Sequence, residues 1–313
     1  MVYIIQTALE LGFLYALVAL ALFLSYRILD IADLTTDGSF ILGAAVSVTM
    51  TAVGHPIAGM FLACIAGACA GFVTAFLQTK LRVPSILAGI VTNTGLYTVN
   101  LMVMGWKSNV SLLKKETIFS MLGVRGIFGK YSDIVLAGTI TVFVGILIYF
   151  FLKTRVGLSI RATGDNLTMV RASSINPTFT IMVGLSLANG MTALSGAMVG
   201  QYQNAADING GTGIVVIGLA CLIIGETVLG KQSVAKGIVA AAVGSLIYRV
   251  IYAMVLYTKI VPVQGLKLLT AIVVAIAIAF PTIKQQLDFQ KRKRMASLKK
   301  ETYGKEKAGK IKC

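Results

Sequence analysis

Charge is scarce in this sequence. Charged residues fill 13% of its 313 positions, only 12 of them are acidic, and there is a single histidine. A soluble domain carries about 25% charge. An ordinary cytosolic enzyme is therefore excluded, and so is a disordered chain. Prolines number five, and long alternating strands are missing. Any membrane crossing should then be made by helices rather than by a barrel. Four cysteines (Cys64, Cys69, Cys221 and Cys313) do not make a secreted disulfide scaffold. The first three sit in apolar runs, where a free Cys behaves as a small hydrophobe. His55 stands beside Pro56 in a predicted turn, and no Cys/His spacing suits a metal site. No Lys or Arg precedes Arg27, so the basic start of a cleavable signal peptide is missing too.

What is abundant is apolar. Hydrophobic residues make up 57% of the chain, and its mean hydropathy is +0.84. A compact soluble domain of this size could not hide that surface, so lipid should be the solvent for most of the chain. The apolar runs fall at 4–26, 38–54, 57–79, 84–105, 132–152, 178–200, 213–229, 234–257 and 265–283. They predict an all-α polytopic membrane protein with about nine transmembrane helices. Residues 1–283 form the membrane domain, and 284–313 a basic cytoplasmic tail.

The net charge is +16, and eleven basic residues lie in the tail alone. Without a soluble domain to present a basic face, nucleic acid is not the expected partner; membrane lipid is. Basic residues of connectors gather on cytoplasmic sides. With 153–177 inside, the inner connectors and tail hold 20 basic residues and the outer connectors seven. That split predicts the N-terminus outside and the C-terminus in the cytoplasm of a cell-membrane protein.

Small residues recur every fourth position on several predicted helices: Ala63, Gly67, Gly71 and Ala75; Gly184, Ala188, Thr192, Gly196 and Gly200; Gly237, Ala241 and Ser245, continuing to Arg249. Such stripes let helix backbones approach closely. There is also an internal echo. Ala32-Asp33-Leu34 precedes one Gly-rich apolar run and Ala206-Asp207-Ile208 another, on opposite sides by the charge count, as in an inverted repeat. Chance is the commoner source of so short a match.

Gly225 to Gln232 reads G-x-x-x-x-G-K-Q. A phosphate-binding loop needs Ser or Thr after the Lys, and a preceding strand. Gly230 and Lys231 are better read as a tight turn between spans. No ATP site is expected in this chain.

The stretch Lys153–Pro177, KTRVGLSIRATGDNLTMVRASSINP, is too polar to span. Asp165 is expected to cap a short helix beginning near Asn166, with Leu167 and Val170 on one face. Asn176 should cap the next helix, with Pro177 at its first position. Gly157 and Gly164 read as flexible joints. Such a helix is either part of a solvated loop or a dock for a cytosolic partner.

Here the sequence resembles a family. The pattern R-A-T-G-D-N, then Arg171-Ala172 and Ile175-Asn176-Pro177, resembles the cytoplasmic loop of ABC importer permeases of the branched-chain amino acid and ribose type. Tyr26–Asp33 through Gly38 and Phe40 looks like the family's segment between its first two spans. Ile224-Gly225-Glu226 through Gly230 and Gly237 looks like its Gly-rich turn near the end. Within the family the chain looks closest to permeases predicted to carry tryptophan or tyrosine. Ser174 departs from the pattern, standing where members often have Gly. The resemblance implies a permease that acts with a cytosolic ABC ATPase, an extracytoplasmic substrate-binding protein and a second permease subunit, forming a homodimer. ATP and Mg would reside on the ATPase, and this chain would hold no cofactor, metal or catalytic residue. The resemblance also implies that Arg161, Gly164, Asp165, Asn166, Leu167, Met169, Val170, Arg171 and Asn176 form the ATPase-coupling segment.

Ionisable residues inside a membrane are candidates for function. Glu226 falls near the inner end of its span. Glu10 and Arg249 fall in the outer third and are expected to be neighbours, with a mutual ion pair and a substrate contact both open. Asn93, Tyr97 and Asn100 share a helical face that could line a polar path or bind a neighbouring helix. The expected function is import of a small solute, an amino acid before others. The alternative is an ion-coupled secondary transporter, which would need no docking helix but usually needs acidic residues at mid-membrane. A membrane-embedded enzyme is disfavoured, since no nucleophile–base set is visible.

Overall fold

The computed structural model describes residues 2–113, 115–125, 131–230 and 233–257, with scattered positions between 268 and 279. The chain divides into two compact units, Met1–Val263 and Gln264–Cys313. In the second, Leu268, Ala271, Ile272, Val274, Ala275 and Ala279 are helical. The tail 284–313 and most of the ninth predicted run lie outside the described residues.

The first unit is helical almost throughout. Its helices are α1 (Val2–Leu22), α2 (Thr36–Ala52), α3 (Pro56–Thr79), α4 (Ser85–Val103), α5 (Ile118–Arg125), α6 (Ser132–Lys153), α7 (Arg155–Asp165), α8 (Leu167–Ala172), α9 (Pro177–Gln203), α10 (Ile214–Leu229) and α11 (Val234–Tyr257). A π-helical turn, Phe23–Ile28, extends α1. The other eight predicted runs are therefore all helices. By length and composition, α1 with its extension, α3, α4, α6, α9 and α11 can cross a membrane. At 16 residues, α10 is shorter. One exception to the helical expectation is a pair of short antiparallel strands, β1 (Asn109–Ser111) and β2 (Ala205–Asp207), with Val110 opposite Ala206.

Lipid tails are as apolar as Leu, so close packing rather than the hydrophobic effect must hold such helices together. The glycine stripes supply it. On α9, Gly196 lies on the Phe40 carbonyl of α2, and Gly43 of α2 lies on the Ala193 carbonyl. Gly67 and Gly71 of α3 rest on α9 at Asn189 and Leu185. A methyl at any of these positions would collide with backbone. On α11, Gly237 meets Phe23, and the Ser245 hydroxyl donates to the Gly12 carbonyl of α1. The centre of the unit is α1 and α9. Of their most apolar windows, 78% and 72% is buried within the protein, against about a third for α3, α4, α6 and α11.

The connector between the first two spans departs from expectation. Residues 29–35 do not stay on the surface of the unit. They are non-helical, and Leu29, Ile31, Asp33 and Thr35 are buried. Gly184 of α9 packs on Leu29, and farther along Asn189, midway along α9, reaches Asp33. Irregular backbone at membrane depth is tolerated only where protein buries it. Here α9, α3 and α4 do so: Thr35 shares a hydrogen bond with Thr74 of α3 at 2.7 Å, and Leu34 lies on Gly89 of α4.

At one end of the unit, Gln201 gathers several elements. Its amide donates to Ser47 Oγ at 2.8 Å and to the Pro56 carbonyl at 3.0 Å, and it accepts from the Ile118 amide at 3.0 Å. That is also the end where β1 and β2 pair. The connectors 106–131 and 204–212, assigned to one side by charge, do meet.

Candidate functional site

The polar segment after α6 folds as two helices, not one. Thr154 opens α7, accepting from the Gly157 amide at 3.2 Å. Ile160 is fully buried beneath it. The two glycines are not joints. Gly157 lies on the Phe151 carbonyl and Gly164 on the Ile28 carbonyl, so each marks a backbone contact that a Cβ would block. Thr163 and Thr180 share a hydrogen bond at 2.8 Å, fixing α7 to the foot of α9.

Asn166, not Asp165, is the cap of α8. Its side chain accepts from the Thr168 amide at 3.1 Å and the Met169 amide at 3.0 Å. Asp165 is instead the last residue of α7. The expected apolar face is also divided. Val170 is 2% exposed and points into the protein, whereas Leu167 and Met169 are 39% and 67% exposed. Arg171 is exposed beside them. Asn176 does cap α9, accepting from the Thr178 amide at 3.0 Å, with Pro177 following. Ser174 between the helices has φ +59°. This left-handed conformation favours glycine, which accounts for the Gly expected there.

A cavity of about 300 Å3 opens beside α7, lined by Arg27, Arg161, Asp165, Glu226, Ser233 and neighbours. Across it Arg27 Nε meets a Glu226 carboxylate oxygen at 3.1 Å. Glu226 is only 6% exposed, so a charge partner is what makes its burial tolerable. Gly230 follows α10 with φ +83°, the turn expected there; Lys231 lies outside the described residues.

The outer candidates are rearranged. Glu10 and Arg249 do not pair. The Glu10 carboxylate accepts from Tyr202 Oη at 2.6 Å and Gln6 Nε2 at 3.1 Å. The Arg249 guanidinium lies 3.6 Å over the Tyr15 ring. Tyr202 takes up the Glu10 carboxylate, and the Tyr15 and Tyr252 rings face the Arg249 guanidinium, whose buried Nε has no hydrogen-bond partner among the described residues. Asn93, Tyr97 and Asn100 do not act as one surface either. Asn100 is fully buried and donates to the Gly38 carbonyl at 3.2 Å, Asn93 lies against Gly38, and Tyr97 is half exposed.

Sequence reasoning misses one buried carboxylate, Asp33, and one half-buried carboxylate, Asp37. Asp33 accepts from the Thr35 amide at 2.8 Å and from Asn189 Nδ2 at 2.6 Å, while Ser39 Oγ donates to Asn189 Oδ1 at 2.7 Å. Asp37, in the first turn of α2, accepts from the amides of Gly213 and Val215 at 3.0 and 2.9 Å. It thereby caps α10 with a side chain from α2. The signal is present: both Asp residues precede a Gly-rich run. By sequence they pass for connector residues, yet both are held by hydrogen bonds to other helices of the unit.

Residues 4–281 match the family described as "Branched-chain amino acid transport system / permease component". The chain is 36% identical over 262 residues to the tyrosine transport system permease protein of Clostridioides difficile (strain R20291), covering 83% of this chain and 85% of the relative. It is 34% identical over 280 residues to an uncharacterized protein of Rickettsia prowazekii (strain Madrid E), covering 88% and 97%. It is 30% identical over 191 residues to the autoinducer 2 import system permease protein of Escherichia coli (strain K12 / DH10B), covering 58% of this chain and 53% of that one. No solved structure matches.

Proposed function

We propose that this chain, which belongs to the branched-chain amino acid permease family and is the transmembrane, non-catalytic permease component of an ABC importer, carries an amino acid, an aromatic one before others. The tyrosine permease relative supports this substrate class, since the likeness runs along most of both chains. ABC importer permeases act with an ATPase and a binding protein. Solute would pass from an extracytoplasmic binding protein through a pair of permease copies, driven by a cytosolic ATPase that carries ATP and Mg.

The observation that carries the docking assignment is the exposed pair Leu167 and Met169 on a capped helix. Two apolar side chains held outward on a polar segment suit a protein groove. Arg171 can meet acidic residues there, Asn166 and Asn176 fix the helix starts, Val170 and Gly164 hold the segment on the bundle, and Arg161 and Asp165 line the cavity beside α7. The contact surface is smaller than the sequence implied, and several residues of the coupling segment serve it from beneath.

The proposed orientation keeps α7, α8 and the tail 284–313 in the cytoplasm, with the N-terminus outside, and nine spans in all. The same-side meetings support it: β1 with β2, and Arg27 with both α7 and Glu226. The inverted-repeat reading also gains support. The two echo motifs precede the two short helices α2 and α10, and Asp37 joins the starts of these helices. For the pathway, Tyr97 is retained with its exposed neighbours Thr94 and Thr98 on α4, since hydroxyls suit water or protein better than lipid. Glu10 and Arg249 remain candidates at the outer end; Asn93 and Asn100 serve packing.

The test is co-expression with the partner ATPase and binding protein, followed by uptake of labelled tyrosine, tryptophan and leucine into proteoliposomes. Leu167→Asp should abolish ATPase co-purification and uptake while membrane insertion persists. Retention of both at wild-type levels would remove the docking assignment.

A further inference from the structure

The cavity beside α7 brings together four charged side chains from three elements. Arg27 comes from the π-helical turn, Glu226 from α10, and Arg161 and Asp165 from α7. In this arrangement Arg27 is bound to Glu226 at 3.1 Å. The other two offer each member a second partner of the right sign: Arg161 for Glu226, Asp165 for Arg27. A buried carboxylate resists losing its cation. Exchange within the cavity avoids that cost for Glu226, which keeps a cation at hand, while Arg27, 43% exposed, stays partly solvated in either arrangement.

Two contacts make α7 the element that would drive such an exchange. Gly164 lies with its backbone on the Ile28 carbonyl, one residue from Arg27. A Cβ has no room there, so displacement of α7 acts directly on the end of the π-helical turn. That turn is a widened stretch of helix, a feature that recurs at functional sites. Thr163, next to Gly164, holds the foot of α9 as well.

We propose that Arg27 and Glu226 are a positioning pair that carries movement of α7 into α1 and α10 by exchanging partners with Arg161 and Asp165. Neither residue touches ATP or solute. The proposal rests on the reading of α7 and α8 as the ATPase-docking segment, and it adds the path that the stroke takes into the membrane. A packed bundle answers a small push by switching between discrete arrangements rather than by bending.

The experiment uses the full complex, permease with ATPase and binding protein, in proteoliposomes. Solute transported per ATP hydrolysed is measured for Arg27→Gln, Arg27→Lys, Arg161→Gln and Asp165→Asn. For Arg27→Gln, co-purified ATPase and basal hydrolysis should stay within about twofold of wild type, while solute per ATP falls about tenfold, the size of a typical coupling between sites. Arg27→Lys, which keeps the charge, should retain most coupling. Arg161→Gln and Asp165→Asn should also lower solute per ATP, although neither removes the pair seen here. A purely structural ion pair would leave those two variants at the wild-type ratio, and that result overturns the proposal. If Arg27→Gln fails to accumulate in membranes, the Asp165→Asn and Arg161→Gln ratios decide alone. Leu167→Asp separates the two readings: if it keeps the ATPase bound, the docking assignment fails whatever the pair does.

Discussion

Asn189, midway along α9, donates its amide to the Asp33 carboxylate at 2.6 Å and thereby holds a non-helical stretch against the middle of the bundle. The same side chain accepts from Ser39 at 2.7 Å. One residue thus serves both the irregular segment 29–35 and the helix that follows it.

Asn189→Ala should be strongly destabilising. It strips a partner from a buried carboxylate and from a buried hydroxyl. Each buried group left unsatisfied costs about 1–3 kcal/mol, more when it is charged. Thermal unfolding in detergent should show a clear drop against wild type. An unchanged midpoint would mean that the network contributes nothing.

Asn166→Ala should weaken α8, because it removes the oxygen that two backbone amides share. The loss is about 0.5–2 kcal/mol for a helix cap. Asp165→Ala should cost α8 much less. Hydrogen exchange at the Thr168 and Met169 amides reads this directly: faster in Asn166→Ala, little changed in Asp165→Ala.

Ser174→Gly should stabilise the turn between α8 and α9. Serine holds φ +59° there, and left-handed backbone costs an L-residue about 1–2 kcal/mol. Protease nicking of the 172–176 segment should slow in Ser174→Gly and speed up in Ser174→Val. The reverse order would contradict the backbone assignment.

How much of this is legible in the sequence depends on the range of each interaction. Helix positions, the Asn176 cap and the packing of small-residue stripes are local or periodic, and they read straight from the chain. The α8 cap falls one residue later than expected, because Asp165 and Asn166 are equally suitable oxygens and only the backbone decides between them. The Arg27–Glu226 pair joins residues far apart in sequence. Depth matches Glu10 to Arg249 just as well, yet orientation about the helix axis gives them Tyr202 and Tyr15 instead. The burial of Asp33 escapes notice for a different reason. A short polar stretch between apolar runs looks like a surface connector, and nothing local says that it dives inward.

Gly43→Val and Gly95→Ala should diverge although both replace a helical glycine. At Gly43 the side chain would strike the Ala193 backbone, whereas nothing lies within 4 Å of a Cβ at Gly95. Overpacking costs about 1–3 kcal/mol or more, while Ala for Gly in a helix gains up to about 1 kcal/mol. Yield and unfolding temperature should fall in the first variant and hold or rise in the second.

Single cysteines at Ser108 and Ser173, both exposed, should report orientation. An impermeant thiol reagent added to intact cells should label Ser108→Cys and spare Ser173→Cys. The opposite pattern would invert the topology and put α8 out of reach of any ATPase.

The strand pair β1–β2 sets a geometric limit on whatever motion accompanies transport. β2 begins two residues after α9 ends, and it is stitched to the connector that follows α4. That end of α9 is fastened, while the other meets α7. A helix of 27 residues is about 40 Å long, so a tilt of about five degrees around the fastened end would sweep the end joined to α7 through about 3.5 Å. Helix α9 therefore has the proportions of a lever arm, with its fastened end opposite the docking helix.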